Sequence, residues 1–347
     1  MVQETSAKTP GARPTLKTLS QMTGLSMSTV SLALRDETSL RDETRQRIRE
    51  AARQIGYEPD RAGVRLRTGK TGTIALILEG SEESIGFSRK LIAGIHDGLR
   101  GKGYLLNVMP QFDRVESVRT LARIVQSSLA DGVILTHTEP SDRRVRLLIE
   151  SGTPFVTHGR TEFAIDHAYH DWDIANFVRV ALARLAALGA RRVAALIVDN
   201  PTNCAHIMRR YLREHATAMG LSVELIDGRL PGSSHLAGLR DHGRALAAQA
   251  DRPDAIISDS EIATILLASG LRDGGVDVGR DIFMVSKQTS DLLRILYPEV
   301  DTLEEQVEAS GRELARLLLA RIGGQPLAAL QSLAEPVPHF GAAPAAP

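Results

Sequence analysis

TLKTLSQMTGLSMSTVSLALRDETSLRDETRQRIREAARQIGYEPD, residues 15–60, decides the fold at the amino end of this 347-residue chain. Its apolar positions recur at three- and four-residue spacing: Leu16, Leu19 and Met22, then Val30, Ala33 and Leu34, then Ile48, Ala51, Ala52 and Ile55. That period gives each of three helices one stripe to bury. Gly24 suits the left-handed close of the first helix, and Ser26 can cap the second. Asp42 and Glu43 favour the positive end of the third, which stops at Gly56 with Pro59 beyond. Two short helices joined by the tight turn Gly24-Leu25-Ser26 make a helix-turn-helix, whose second helix can enter a major groove N-terminal end first. The hydroxyls of Ser26, Ser28, Thr29 and Ser31 at that end can donate to phosphate oxygens and base edges. On spacing alone a plain three-helix bundle, with the serines as caps and surface, fits equally well.

Outward from this segment the texture changes. Residues 1–13 are polar, with Pro10 and Gly11 inside them and Pro14 just beyond, and read as a flexible arm. Residues 1–71 carry 13 Lys and Arg against 8 Asp and Glu, while the remainder carries 29 against 34, so a net charge of zero hides a basic head on an acidic body. A head that binds a polyanion needs that split. From residue 72 short apolar runs alternate with helical stretches: TIALIL (73–78), YLLNVM (104–109), DGVIL (131–135), PFVTH (154–158), RRVAALIV (191–198), SVELID (222–227), DAIIS (254–258) and DIFMVS (281–286). Such alternation marks βαβ units with parallel sheet. Eight strands in two runs, divided near residues 160–172, predict two similar α/β subdomains with a cleft between them. The tail from Glu335 is Pro/Ala-rich, has no heptads and reads as disordered at 341–347.

Composition sets outer limits. The single cysteine, Cys204, forms no internal disulfide, which fits a reducing compartment. No apolar run approaches the roughly 18 residues of a membrane span, and the N-terminus has no apolar core of a secretory signal, so a cytoplasmic protein is expected. His137, His158, His167 and His170 lack any tight zinc spacing, so neither metal nor cofactor is expected. No P-loop and no G-x-S-x-G elbow is present, and Gly98, Gly101 and Gly103 do not form G-x-G-x-x-G after a strand. The expectation is therefore a protein that is not an enzyme.

TLK-x₆-GLS-x₂-TVS, T-x-x-R-I, GYEP and R-L-R-T-G-K-T, in this order and without a gap over residues 15–71, resemble the headpiece of the LacI/GalR family of transcriptional regulators, most of all its alpha-proteobacterial sugar-utilisation branch. The resemblance implies that Met27, Ser28 and Leu32 read base edges. It implies that Thr15, Ser26, Thr29, Ser31, Arg35 and Thr44 touch the phosphate backbone, with Tyr57 also in the DNA-binding set. Leu32 departs from the many relatives that carry a polar residue there, and a leucine offers only apolar contact, as with a thymine methyl. In PDRAGVRLRTGKT (59–71) the resemblance makes Leu66 a minor-groove wedge, capped by Asp60 and flanked by Arg61, Arg65, Arg67 and Lys70. An ordinary linker with Leu66 packed on the core is the other reading. Gly63, where relatives have Ala, costs about 1 kcal/mol of helix propensity, so the free hinge should be disordered and fold on DNA.

At lower density GFSRKLIAGIHDGLRGKGY, DGVILTHTEP, PFVTHGR, LARLAALGARRVAAL and PDAIISDS resemble the family's core, the two-subdomain fold shared with periplasmic sugar-binding proteins. The implied organisation is a small all-α helix-turn-helix head at 14–58 and a hinge at 59–71. An effector-binding and dimerising core follows at 72–333, built as two Rossmann-like parallel-sheet subdomains. The first would take about 72–165 and 299–325, the second about 166–298 and 326–340. An effector would then sit at the C-terminal strand ends, against Ser84, Phe87, His137, Arg160, Asp171, Trp172, Asn203, Asp259 and Gln288, with His158 and Lys287 close by. Carboxylate, amide and guanidinium groups there suit a sugar or other polyol. Trp172 could stack on a sugar face, although core packing is the favoured reading of that residue. Met208, Asp259-Ser260 and Lys287-Gln288 depart from the family's usual effector-gripping residues, so no effector can be named. The implied protein is a homodimeric repressor of a pseudo-palindromic operator, released by a small effector. A secreted or cytosolic sugar-binding protein without a DNA role is the rival, and it leaves residues 15–71 without a purpose.

Overall fold

The computed structural model describes residues 14–34, 40–58, 61–79, 85–197, 201–226 and 236–341. The expected arm, Arg35, the hinge cap Asp60, Ser84 and the tail beyond Gly341 lie outside the described residues. The chain divides into two compact units, Met1–Thr71 and Gly72–Pro347.

In the first unit α1 (Leu16–Thr23), α2 (Met27–Ala33) and α3 (Asp42–Ile55) close around Leu19, Val30, Ala33, Ile48 and Ala52. Thr15 caps α1 by accepting from the Thr18 amide, in a reciprocal capping box with the Thr18 side chain. Gly24 ends α1 at φ +69°, a conformation that would strain any residue with a Cβ. Ser26 caps α2 and Gly56 closes α3 at φ +64°. Arg47 donates to the Thr23 carbonyl over 2.8 Å, joining α3 to the turn. The hinge, expected to be disordered when free, is instead a helix, α4 (Arg61–Thr68). It closes where the Gly69 amide donates to the Arg65 carbonyl over 2.8 Å, and Gly69 itself takes φ +71°. A left-handed glycine placed to end the helix offsets the propensity lost at Gly63.

The second unit holds two α/β layers in chain order. β1 (Thr73–Glu79), α5 (Ile85–Leu99), β2 (Leu105–Gln111), α6 (Arg114–Gln126), β3 (Gly132–Leu135), α7 (Arg143–Ser151), β4 (Phe155–His158) and β5 (Tyr169–Trp172) come first. Then follow α8 (Ile174–Ala187), β6 (Arg192–Leu196), α9 (Asn203–Ala216), β7 (Ser222–Ile226), α10 (Ala237–Ala247), β8 (Ala255–Ser258), α11 (Glu261–Asp273), β9 (Phe283–Gln288), α12 (Leu292–Leu296) and β10 (Asp301–Glu304). The chain ends on α13 (Val307–Ile322), β11 (Gln331–Ala334) and β12 (Val337–His339).

Two six-stranded sheets result, ordered β2-β1-β3-β4-β5-β11 and β7-β6-β8-β9-β10-β12. Every pairing is parallel except β10 with β12. The described residues thus contain twelve strands where eight were expected. The four additions, YHDW, DTLE, QSLA and VPH, are short and polar, and tertiary partners rather than an apolar run hold them. They also move the subdomain boundaries. β10 lies in the second sheet, although 299–325 was expected in the first, and β11 lies in the first, although 326–340 was expected in the second.

Each sheet is covered on both faces. Ile74, Leu76 and Leu91 pack with Leu314 and Leu318, while Ile77, Leu121, Val133 and Leu148 fill the opposite side. In the second sheet Phe177, Val193 and Leu212 lie on one face, Ile256, Leu267 and Met284 on the other. Each such fully buried side chain contributes about 1.5–3 kcal/mol. Helix α13 returns from the second sheet to lie against α5 so closely that a Cβ on Gly94 would overlap the Glu308 carbonyl. No helix among the described residues is long and apolar enough to cross a membrane.

Candidate DNA-binding and effector sites

The face of the head opposite its core is formed by the start of α2. Met27 is 52% exposed and Ser28 is exposed, while Thr29, Ser31 and Leu32 are half-buried. The Ser26 hydroxyl lies 2.8 Å from that of Ser28 and 2.8 Å from that of Thr29, so one oxygen both caps the helix and organises its two neighbours. A protruding thioether flanked by hydroxyls at a helix N-terminus can meet a base edge and adjacent phosphates together. Thr44 is half-buried on the first turn of α3, and Tyr57 packs at the edge of the head's core. On α4, Leu66 is 90% exposed, an unusual setting for a leucine unless it awaits a partner. Arg61 opens that helix.

In the second unit the predicted effector residues gather at the C-terminal ends of the strands of both sheets. Arg160, after β4, donates through Nε to Asp171 Oδ2 over 2.7 Å. Burial raises the Asp171 pKa, and the guanidinium opposes that rise. Asn203, the first residue of α9, donates from its side chain to the Arg160 carbonyl over 3.0 Å. Phe87 on α5 sets its ring edge-to-face with His137, at 5.5 Å, and with His158, at 5.1 Å. His137 holds a left-handed backbone at φ +54°, and its carbonyl accepts from Arg114 and from Arg144. Burial, with neighbouring cations, lowers its pKa to about 3, so the ring is neutral.

Trp172 is buried against Phe177, in agreement with core packing. The Lys287 ammonium stands 4.8 Å over its ring, so a cation takes the place where a sugar face was considered. Gln288 is fully buried and accepts from the Thr302 hydroxyl over 2.6 Å. Asp259, half-buried after β8, donates its amide to the Leu196 carbonyl. Among the described residues three buried polar atoms in this group have no hydrogen-bond partner: Trp172 Nε1, Asn203 Oδ1 and Gln288 Nε2. Unpaired buried polar atoms each cost about 1–3 kcal/mol and call for a ligand or water.

Sequence reasoning missed one member. Glu305, between β10 and α13, is 0% exposed and lies 2.6 Å from Lys287 Nζ and 2.9 Å from His158 Nε2. The Lys287 ammonium holds its carboxyl far below the usual range against the opposing effect of burial, and the carboxylate in turn holds Lys287 protonated. No local signal could have found it, since the strand before it, DTLE, carries no apolar run.

Sequence profiles match the chain at both ends. Residues 15–60 fit the domain described as bacterial regulatory proteins, lacI family, and residues 182–340 fit a periplasmic binding protein-like domain. The HTH-type transcriptional regulator AglR of Rhizobium meliloti (strain 1021) is 28% identical over 323 residues, covering 89% of this chain and 88% of its own. The chain joins a LacI-family head to a periplasmic-binding-protein-like core. The HTH-type transcriptional regulator CelR of Thermobifida fusca is 26% identical over 321 residues, covering 90% of this chain and 93% of its own. Solved structures share the fold. The complex of the transcriptional regulator CelR with cellobiose has a TM-score of 0.67 at 24% identity, covering 94% of this chain and 99% of that one. The Lac repressor bound to ONPG in its repressed state has a TM-score of 0.78 at 14% identity, covering 94% and 98%. With this head and core the chain is a DNA-binding transcriptional regulator and not an enzyme.

Proposed function

We propose that the protein is a homodimeric repressor that reads a pseudo-palindromic operator with one head per half-site and is released by a small carbohydrate-like effector. Met27, Ser28 and Leu32 meet base edges, with Thr15, Ser26, Thr29, Ser31, Arg35, Thr44, Tyr57 and Arg61 around them. Leu66 enters the minor groove. Phe87, His137, Arg160, Asp171, Trp172, Asn203, Asp259 and Gln288, with Ser84, surround the effector.

The observation that carries the effector reading is the set of three unpaired buried polar atoms at the strand ends, since a polyol supplies both donors and acceptors for them. Dimerisation is supported by apolar surface with no partner in the single chain: Phe112 is 84% exposed, and Ile295 is 73% exposed beside Leu292 and Leu296 on α12.

The test combines gel shifts with calorimetric titration of the full chain against neutral and acidic mono- and disaccharides. Operator affinity should fall steeply with salt as Arg and Lys displace counterions, and one carbohydrate should release the DNA. A monomer in sedimentation, or binding insensitive to salt, contradicts the dimeric reading of DNA. If no carbohydrate titrates, the effector class is wrong while the regulator stands.

A further inference from the structure

We propose that Glu305 is a positioning residue that ties the two sheets together through the effector site, and that this tie sets the operator affinity of the protein. The inference rests on the effector reading above, and the geometry behind it is independent of which ligand binds.

Lys287 is the penultimate residue of β9 in the second sheet and His158 ends β4 in the first. Glu305 stands where the chain leaves β10 in the second sheet to enter α13, which packs on β3, β4 and β5 of the first. Its carboxylate therefore faces Lys287 from the second sheet and His158 from the first. Its backbone is held too, the Glu305 amide donating to the Gln288 carbonyl over 2.9 Å. A fully buried carboxylate paired with an ammonium is held firmly, because removing either member leaves a charge stranded in a low-dielectric interior. The same lysine covers the Trp172 ring. Any movement of one sheet against the other must stretch the His158 contact, the Lys287 contact, or both. A ligand seated among Trp172, Asn203 and Gln288 therefore acts beside the junction that joins the two halves. A bistable junction is what converts ligand contacts into a change of state at a distance.

The chain has one tryptophan, so Trp172 emission reports where Lys287 sits. Three full-length variants separate the possibilities: Glu305→Gln, the charge-free double variant Lys287→Met with Glu305→Gln, and His158→Gln, which severs only the link across the sheets. Glu305→Gln should shift Trp172 emission and raise its quenching by acrylamide about twofold as Lys287 swings free. The double variant strands no charge and should melt near wild type. It and His158→Gln should still change ligand-free operator affinity at least fivefold, within the range of ordinary allosteric coupling, and His158→Gln should leave Trp172 emission unchanged. If the double variant and His158→Gln both bind operator within twofold of wild type, the tie is packing alone and the proposal falls. If the wild type titrates with no carbohydrate yet these variants shift operator affinity, the effector class fails and the tie stands.

Discussion

The backbone amide of Asn203 donates to the Thr138 carbonyl over 2.7 Å, so the first residue of a helix on one sheet is fastened to the loop that ends a strand of the other. The Asn203 side chain repeats the link to Arg160 and leaves Oδ1 buried and unpaired. Helix α9 continues the contact, with His206 and Arg210 facing Glu162. Asn203→Ala removes the side-chain link and the free acceptor but keeps the backbone bond. Stability should fall by about 1 kcal/mol, the net worth of one hydrogen bond, while effector affinity falls about tenfold. Denaturant unfolding and calorimetric titration measure the two. An unchanged titration would remove Asn203 from the site.

Arg160→Ala and Asp259→Ala should each weaken effector binding and leave operator binding in place, since neither lies in the head. Arg160→Ala carries an added cost, because buried Asp171 loses the cation that opposes its raised pKa. Its melting temperature should fall further than that of Asp259→Ala. Titrations like wild type in both variants would show that the pocket lies elsewhere.

Leu66→Ala should lower operator affinity with no change in melting temperature. A side chain 90% exposed in the free protein has almost no packing to lose, so its truncation belongs to the surface class within about 0.5 kcal/mol. A variant that melts several degrees lower and still bends DNA would make Leu66 a packing residue.

His170 is buried, its two ring nitrogens lying 2.9 Å from the Ser332 hydroxyl and 3.1 Å from that of Ser310. Burial lowers its pKa from 6.5 to about 4, and that of His167 likewise to about 4. The unfolded chain thus takes up these protons first as pH falls. The stability they confer is complete above about pH 6.5 and is lost on descending towards pH 4. Each contributes a slope of roughly 1.4 kcal/mol per pH unit in that window. His170→Gln keeps hydrogen-bonding capacity and cannot titrate, so the dependence of unfolding free energy on pH between 6.5 and 5 should flatten by one proton. An unaltered slope would mean that His170 is protonated in the folded protein.

What could be read beforehand follows a physical divide. Runs such as Ile74–Leu78 and Ala255–Ser258 declare themselves because a doubly covered parallel strand is apolar on both faces. β5, β10, β11 and β12 are instead held by polar partners remote in sequence: His170 on Ser310 and Ser332, Asp301 on Arg184, and Thr302 on Gln288. No local pattern announces a strand stabilised in that way. The head was more legible, since Thr15, Gly24, Ser26 and Gly56 act on their immediate neighbours. In the core, residues directly after apolar strands, such as Arg160 and Asn203, could be anticipated. Glu305 could not, because its strand was not visible and its partners Lys287 and His158 come from 18 residues and from nearly 150 residues earlier.

The placement of β11 beside β5 has a consequence for how the protein is made. The first sheet begins at Thr73, yet its edge is completed only by Gln331–Ala334, after the whole of the second sheet except β12 has been threaded. Neither half of the core is a continuous stretch of chain. On the ribosome the amino-terminal head can fold early from local contacts, whereas β5 must wait with an open edge for some 160 residues. Such distant pairing folds slowly and leaves strand edges exposed to other chains in the interval. Truncation near the carboxyl terminus should therefore be far more damaging to solubility than loss of the head, although the residues removed look the least structured.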